Sequence, residues 1–382
     1  MINYPTSKLP DVGTSIFTIM SALANEHQAI NLSQGFPDFN CPEPLMNLVT
    51  RYMHEGFNQY APMPGMPQLR EKISIKTEKM YGYRPDLNTE VTVTSGATEA
   101  LNAAITAVVK PGDEVVVLEP CYDSYAPAIR LCGGAPIYVP LALPDFSVDW
   151  DLVKKRISSR TRLIIINTPH NPTGAVMGKE DMDRLANLID GTDILVISDE
   201  VYEHMVFDGK EHYSALQHPQ LRERSFVISS FGKTYHTTGW KIGYAVAPAP
   251  LTNELRKMHQ FITFCSVTPL QLAIADFMDH EAHYLELPDF YQAKRDFFVE
   301  QLRNTKLEVI PSAGTYFQLA RYDRISEEYD LDFAKRLTQE IGVAAIPVSA
   351  FYHDKTDHKY LRFCFAKSED TLRAAAEKLA KL

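Results

Sequence analysis

The sequence predicts an α/β protein, with a mainly parallel sheet covered by helices and a smaller α+β domain, and three features carry that expectation. Leu163-Ile164-Ile165-Ile166-Asn167 and Ile194-Leu195-Val196-Ile197-Ser198 are continuous apolar runs, separated by a helical repeat of Met182, Leu185 and Ile189. Strands buried on both faces read this way, whereas half-exposed strands alternate. The polar signatures, Gly96 to Thr98, Tyr122, Asn171, Asp199 to Tyr202 and Ser230 to Lys233, follow the ends of such runs, where parallel sheets place their ligands. After Pro248 the pattern changes to helices mixed with short strands.

A chain of 382 residues has room for two domains. We expect an N-terminal arm over residues 1–40 that joins the small domain, a large domain over 41–280, and a small C-terminal domain over 281–382. The first forty residues read as an irregular arm, in which Gly35 precedes an aromatic-proline turn and permits close backbone approach. The loop Asn58-Gln59-Tyr60-Ala61-Pro62 precedes a helix with Leu69, Ile73 and Met80 at helical spacing and Gly82 as its stop. Val91 to Ser95 reads as a strand that turns at Gly96-Ala97-Thr98 into a helix with Leu101, Ala104, Ile105 and Val108 on its apolar face. That helix start offers free N–H groups and a positive dipole end to an anion, although Thr98 also suits a plain N-cap. A strand at Glu114 to Glu119 leads to the aromatics Tyr122 and Tyr125. Further on, Leu270 to Asp279 and Pro288 to Asn304 read as helices, and 308–310, 315–319 and 361–365 as short strands. Leu372, Ala375, Ala376 and Leu379 mark a final helix.

Composition narrows the function classes. A net charge of −10 argues against nucleic acid and acidic membranes as partners. No eighteen-residue apolar run or leader-like N-terminus is present, so a cytoplasmic protein is expected. The five cysteines are scattered, and the twelve histidines show no ligand spacing, so neither a disulfide framework nor a metal site is expected.

The chemistry centres on Ser229-Ser230-Phe231-Gly232-Lys233-Thr234, with Lys241 eight residues beyond Lys233. A lysine amine becomes a nucleophile only when burial or a cationic neighbour lowers its pKa, and Lys233 is placed to meet both conditions. A Walker A loop would need glycine where Val227 stands. Ser230-x-x-Lys233 has serine-acylase spacing, but the companion elements are absent. What remains is a solvated loop lysine or an imine-forming lysine holding pyridoxal phosphate (PLP), with Ser230 and Lys241 on the phosphate. The second reading makes demands that other residues can meet. Ala97, Thr98, Ser230 and Lys241 suit the phosphate, and Asp199 suits the protonated ring nitrogen. Tyr202 and Asn171 suit the ring oxygen, and Tyr122 suits the ring face, with Tyr125 as a rival. Arg362, inside the apolar run Tyr360-Leu361-Arg362-Phe363-Cys364-Phe365, needs either an internal acid or a ligand carboxylate.

Asn167-Thr168-Pro169-His170-Asn171-Pro172-Thr173-Gly174, Ser198-Asp199-Glu200-Val201-Tyr202, Ser229 to Gly243 and Arg362-Phe363-Cys364-Phe365, in this order, resemble the class I aminotransferases of PLP fold type I. Gly35 to Phe39, Asn58-Gln59-Tyr60 and Ile346 to Tyr352 are similar to the methionine aminotransferases and the kynurenine aminotransferase/glutamine transaminase branch. The resemblance implies that Lys233 carries the cofactor, Asp199 pairs with its ring nitrogen, Tyr202 and Asn171 bind its ring oxygen, and Tyr122 stacks on it. It implies that Ala97, Thr98, Ser230 and Lys241 hold the phosphate, and that Tyr60 reaches the phosphate of a neighbouring subunit in a homodimer. It also implies that Arg362 grips the substrate carboxylate, helped by Asn171 and the Gly35 backbone. Lys241 stands where many relatives carry arginine, which keeps the charge but loses the two-point fork. Ile16, Phe17, Tyr60 and Tyr122 suggest a neutral or aromatic side-chain pocket, with methionine, glutamine and aromatic amino acids as donors and a 2-oxo acid as acceptor. A carbon–sulfur β-lyase on the same fold is the alternative enzyme. A cofactor-sensing regulator would need a DNA-binding segment and a basic patch, and neither is evident.

Overall fold

A computed structural model describes residues 4–382, so Met1, Ile2 and Asn3 of the expected arm lie outside the described residues. The large sheet takes its strands from the middle of the chain. They are β2 (Val91–Thr94), β3 (Glu114–Glu119), β4 (Ala135–Pro140), β5 (Thr161–Asn167), β6 (Leu195–Asp199), β7 (Ser225–Ser230) and β8 (Gly243–Val246), with β1 (Ile30–Asn31) preceding them elsewhere. The sheet order is β2-β8-β7-β6-β5-β3-β4. Only β8 runs antiparallel to its neighbours, β2 and β7. The other pairings, β3 with β4 and β5, β5 with β6, and β6 with β7, are parallel.

Burial explains the continuous apolar runs. Val115, Val117, Leu163, Ile165, Ile197, Phe226 and Ile228 pack into one core with Leu101, Ile105 and Leu255 from covering helices. Val116, Ile164, Ile166, Val196 and Val227 pack into the other. Each such side chain contributes about 1.5–3 kcal/mol on burial, and both faces of the strand collect it.

The strand ends set the site. β2, β3, β5, β6 and β7 all finish at one edge of the sheet. Because β7 returns directly as β8, the connection over residues 231–242, which holds Lys233, sits at that edge as well. The return is tight. A Cβ on Gly243 would lie 2.8 Å from Ala97 N and from Ser229 O, so only glycine lets β8 pass the start of the helix Ala97–Val108.

A second sheet, β12 (Ile346–Pro347), β13 (Tyr360–Cys364), β10 (Phe317–Arg321) and β9 (Glu308–Ile310), is antiparallel in that order. β1 pairs with β11 (Val343–Ala344), and Cys364 N donates to Leu32 O at 2.8 Å. The segment after β1 is thereby laid beside β13.

Three local expectations are corrected. The first forty residues are not irregular throughout, because Ile16–Glu26 is a helix capped by Ser15, whose side chain accepts from Thr18 N, with Met20 and Ala24 buried. Thr98 is not an N-cap. Gly96 occupies that position at φ 77°, a conformation glycine adopts readily, and contributes no side-chain cap. The strand expected from Thr315 begins at Phe317, since Thr315 has φ 66° and cannot continue a pleated ladder.

Candidate active site

At the shared strand edge lies a cavity of about 170 Å³ lined by Ala97, Thr98, Tyr122, Asn171, Asp199, Tyr202, Ser230, Lys233 and Lys241. Nine of the predicted residues therefore meet in one place. The remaining three sit differently. Gly35 enters through its carbonyl, which accepts from Lys233 Nζ at 3.2 Å. Arg362 is joined to the wall through Asn171, with Nη1 donating to Oδ1 at 2.7 Å. Tyr60 is not brought in, since it stands 85% exposed with its ring edge-on to Phe264.

Lys233 lies in the short helix Phe231–Thr234 that follows β7. Burial, reinforced by the Arg362 and Lys241 cations, lowers its amine to about 8. The amine therefore gives up its proton more readily than that of an exposed lysine.

Asp199 ends β6 and is 3% exposed. Burial raises its carboxyl to about 6, against the opposing pull of the Tyr125 hydroxyl, which donates to Oδ2 at 2.6 Å. A buried carboxylate in this state gains from a cationic partner. Tyr125 is thus tied to Asp199, and Tyr122 is the aromatic at the cavity, 5.7 Å from Tyr125 in an edge-on pair.

Beside Lys241, the helix Ala97–Val108 presents its first N–H groups without a side-chain cap. A Cβ on Gly96 would meet Lys241 Nζ at 3.3 Å, so glycine opens the cradle in which that ammonium lies. Lys241 itself adopts φ 56°, uncommon for a residue with a side chain and frequent at functional positions.

Arg362 is 1% exposed. Its Nη2 donates to Ser33 O at 3.1 Å, while Nε has no protein partner. The guanidinium lies over the Phe317 ring at 3.8 Å, with Phe17 and Phe351 at 5.3 and 5.1 Å. Burial lowers its pKa to about 10, so it remains cationic and short of an anionic partner.

Two contributors escaped the sequence reading. Asn167 ends β5 and ties two loops together: Nδ2 donates to Asp199 O at 2.8 Å and Oδ1 accepts from Asn171 N at 2.8 Å. An asparagine closing an apolar strand was the available signal. Tyr316 places its hydroxyl 2.6 Å from Lys233 Nζ, and no spacing rule connects positions so far apart.

An uncapped helix start beside a lysine, a buried carboxylate lacking a cation, and a lysine with a lowered pKa fit the phosphate, ring nitrogen and aldehyde of PLP. Residues 27–379 match the family model described as aminotransferase class I and II. Methionine aminotransferase of Escherichia coli (strain K12) is 56% identical over 379 residues, covering 99% of this chain and 98% of that protein. Kynurenine–oxoglutarate transaminase of Dictyostelium discoideum is 35% identical over 418 residues, covering 99% and 96%. The crystal structure of YbdL from Escherichia coli, for which a methionine aminotransferase function was identified, superposes with a TM-score of 0.98 at 55% identity over 100% of both chains. The site and the full-length match lead to one family: the chain belongs to the class I and II aminotransferases, PLP-dependent enzymes that transfer amino groups.

Proposed function

We propose that this aminotransferase takes its amino group from methionine and other neutral or aromatic L-amino acids and passes it to a 2-oxo acid. The observation that carries the substrate class is Arg362 set among Phe17, Phe317 and Phe351: one guanidinium for a carboxylate, surrounded by aromatic rings. The 56% identity to a methionine aminotransferase supports methionine as the preferred donor.

In this reading Arg362 binds the substrate carboxylate, with Asn171 Oδ1 fixing the guanidinium. When bound, PLP supplies the electron sink that lets the α-proton leave. Lys233 would hold the cofactor covalently and, once released, would act as the base that receives the substrate α-proton on its amine. Asp199 supplies the negative charge that keeps the ring nitrogen protonated, and Asn171 and Tyr202 hold the ring oxygen. Tyr122 covers the ring face, while Ala97, Thr98, Ser230 and Lys241 receive the phosphate.

A homodimer belongs to the proposal. Tyr60 and Phe264 are exposed and meet edge-on, exposed aromatic surface of the kind found at interfaces, and Tyr60 would complete the phosphate site of the partner subunit. We also propose the division into an arm over 1–40, a large domain over 41–280 and a small domain over 281–382, and a cytoplasmic location. No helix among the described residues is long and apolar enough to cross a membrane.

The test is a panel of amino donors against several 2-oxo acids, including aspartate, kynurenine and a cysteine conjugate without acceptor. Methionine, glutamine or an aromatic donor should lead. Aspartate as the best donor would defeat the pocket reading. Kynurenine in the lead, or pyruvate and ammonia formed without acceptor, would favour the kynurenine-type or β-lyase alternative.

A further inference from the structure

Tyr316 lies immediately before β10 and is fully buried. Its hydroxyl donates to the Gly35 carbonyl. With its proton committed there, the oxygen can only accept from Lys233 Nζ, 2.6 Å away. Lys233 Nζ also donates to Gly35 O at 3.2 Å. A neutral amine has two N–H bonds and one lone pair. Both N–H bonds are thus engaged on one side, by Gly35 and Tyr316, and the lone pair is left uncommitted in the cavity that Lys233 lines.

We propose that Tyr316 is a positioning residue that holds the released Lys233 amine with its lone pair free to receive the substrate proton. This rests on Lys233 being the amine that moves that proton. In the step, the substrate α-C–H bond breaks, a third N–H bond forms on Lys233 where the lone pair was, and the electron pair passes into the bound cofactor. The two N–H bonds to Gly35 and Tyr316 persist throughout, so the ammonium returns its proton from a fixed direction. Without the phenol, the amine would rotate about its last side-chain bond and spend less time aligned.

The experiment uses full-length Tyr316→Phe, which keeps the ring and removes only the hydroxyl. In the cofactor-stripped chain, the pKa of Lys233 is read from the pH dependence of its acetylation, resolved by peptide mass spectrometry. In the loaded enzyme, kcat and KM for methionine are measured across pH. Losing an acceptor that favours the ammonium should lower the amine pKa and move the rising limb of the kcat profile to lower pH. At its plateau kcat should fall about 10- to 100-fold with KM within about threefold. An unchanged amine pKa and unchanged kcat, with borohydride still fixing the cofactor to Lys233, would overturn the role of Tyr316 alone. Absence of the label from Lys233 in the parent protein would overturn the underlying reading of Lys233 and this proposal with it.

Discussion

The phenol of Tyr125 donates to Asp199 Oδ2 at 2.6 Å, and this bond, with a longer one of 3.4 Å from Val201 N to Oδ1, holds a carboxylate that the sheet otherwise removes from water. Burial prevails over both bonds and leaves the carboxyl at about 6. The protein carries a charge whose natural complement is a cation brought by the ligand.

The cofactor-free chain should therefore be strained by Asp199 in a pH-dependent way. The folded value of about 6 lies above the ordinary 3.8, so the folded state keeps a proton that the unfolded state has released between those values. The contribution of Asp199 is most favourable below about 3.8, declines through the window and is lost above about 6. The difference corresponds to on the order of 3 kcal/mol. Asp199→Asn should raise the unfolding midpoint of the cofactor-free chain at pH 7.5, and the gain should shrink toward pH 4. The same variant should bind PLP more weakly. An equal gain at both pH values would contradict the burial account.

Arg362→Lys keeps a cation at the carboxylate position but loses the planar fork. One charge-assisted bond is lost, which corresponds to about 1.5–3 kcal/mol. We expect kcat/KM for methionine to fall about 10- to 100-fold, with the visible absorbance of the bound cofactor unchanged. Wild-type kinetics in this variant would remove Arg362 from substrate binding.

Lys76 and Glu203 form an ion pair at 2.7 Å, with side chains 5% and 3% exposed. Burial alone would raise the Glu203 carboxyl, but the Lys76 ammonium holds it well below the usual range. The Tyr81 and Tyr244 hydroxyls also donate to Glu203. Glu203 follows Tyr202, so the pair anchors the turn that carries Tyr202 to the helix Pro67–Tyr81. Lys76→Met strands a buried carboxylate and should cost about 3–5 kcal/mol in thermal or denaturant unfolding, whereas Lys76→Met with Glu203→Leu should recover much of it. Equal losses in the single and double variants would show that the charge is not the cause.

Much of the fold and site was legible because the residues that carry them break a local pattern. Arg362 interrupts an apolar strand, and Asp199 closes one. The helix Ile16–Glu26 was missed because its cap, Ser15, is followed by a run with few polar breaks rather than a clear alternation. Tyr316 was missed for a different reason. A tyrosine in an aromatic strand looks like core until the fold brings position 233 to its hydroxyl. The role of Tyr125 depended on the same kind of distant meeting, with β6 delivering Asp199 to a ring that could as well have faced the cavity.

The most direct test of the account is to reduce the PLP-loaded protein with borohydride, digest it and locate the pyridoxyl mass by peptide sequencing. The label is expected on Lys233, with Lys233→Ala losing both the label and nearly all turnover. A label on Lys241 or another lysine, or a Lys233→Ala variant that still transaminates at the parent rate, would contradict it.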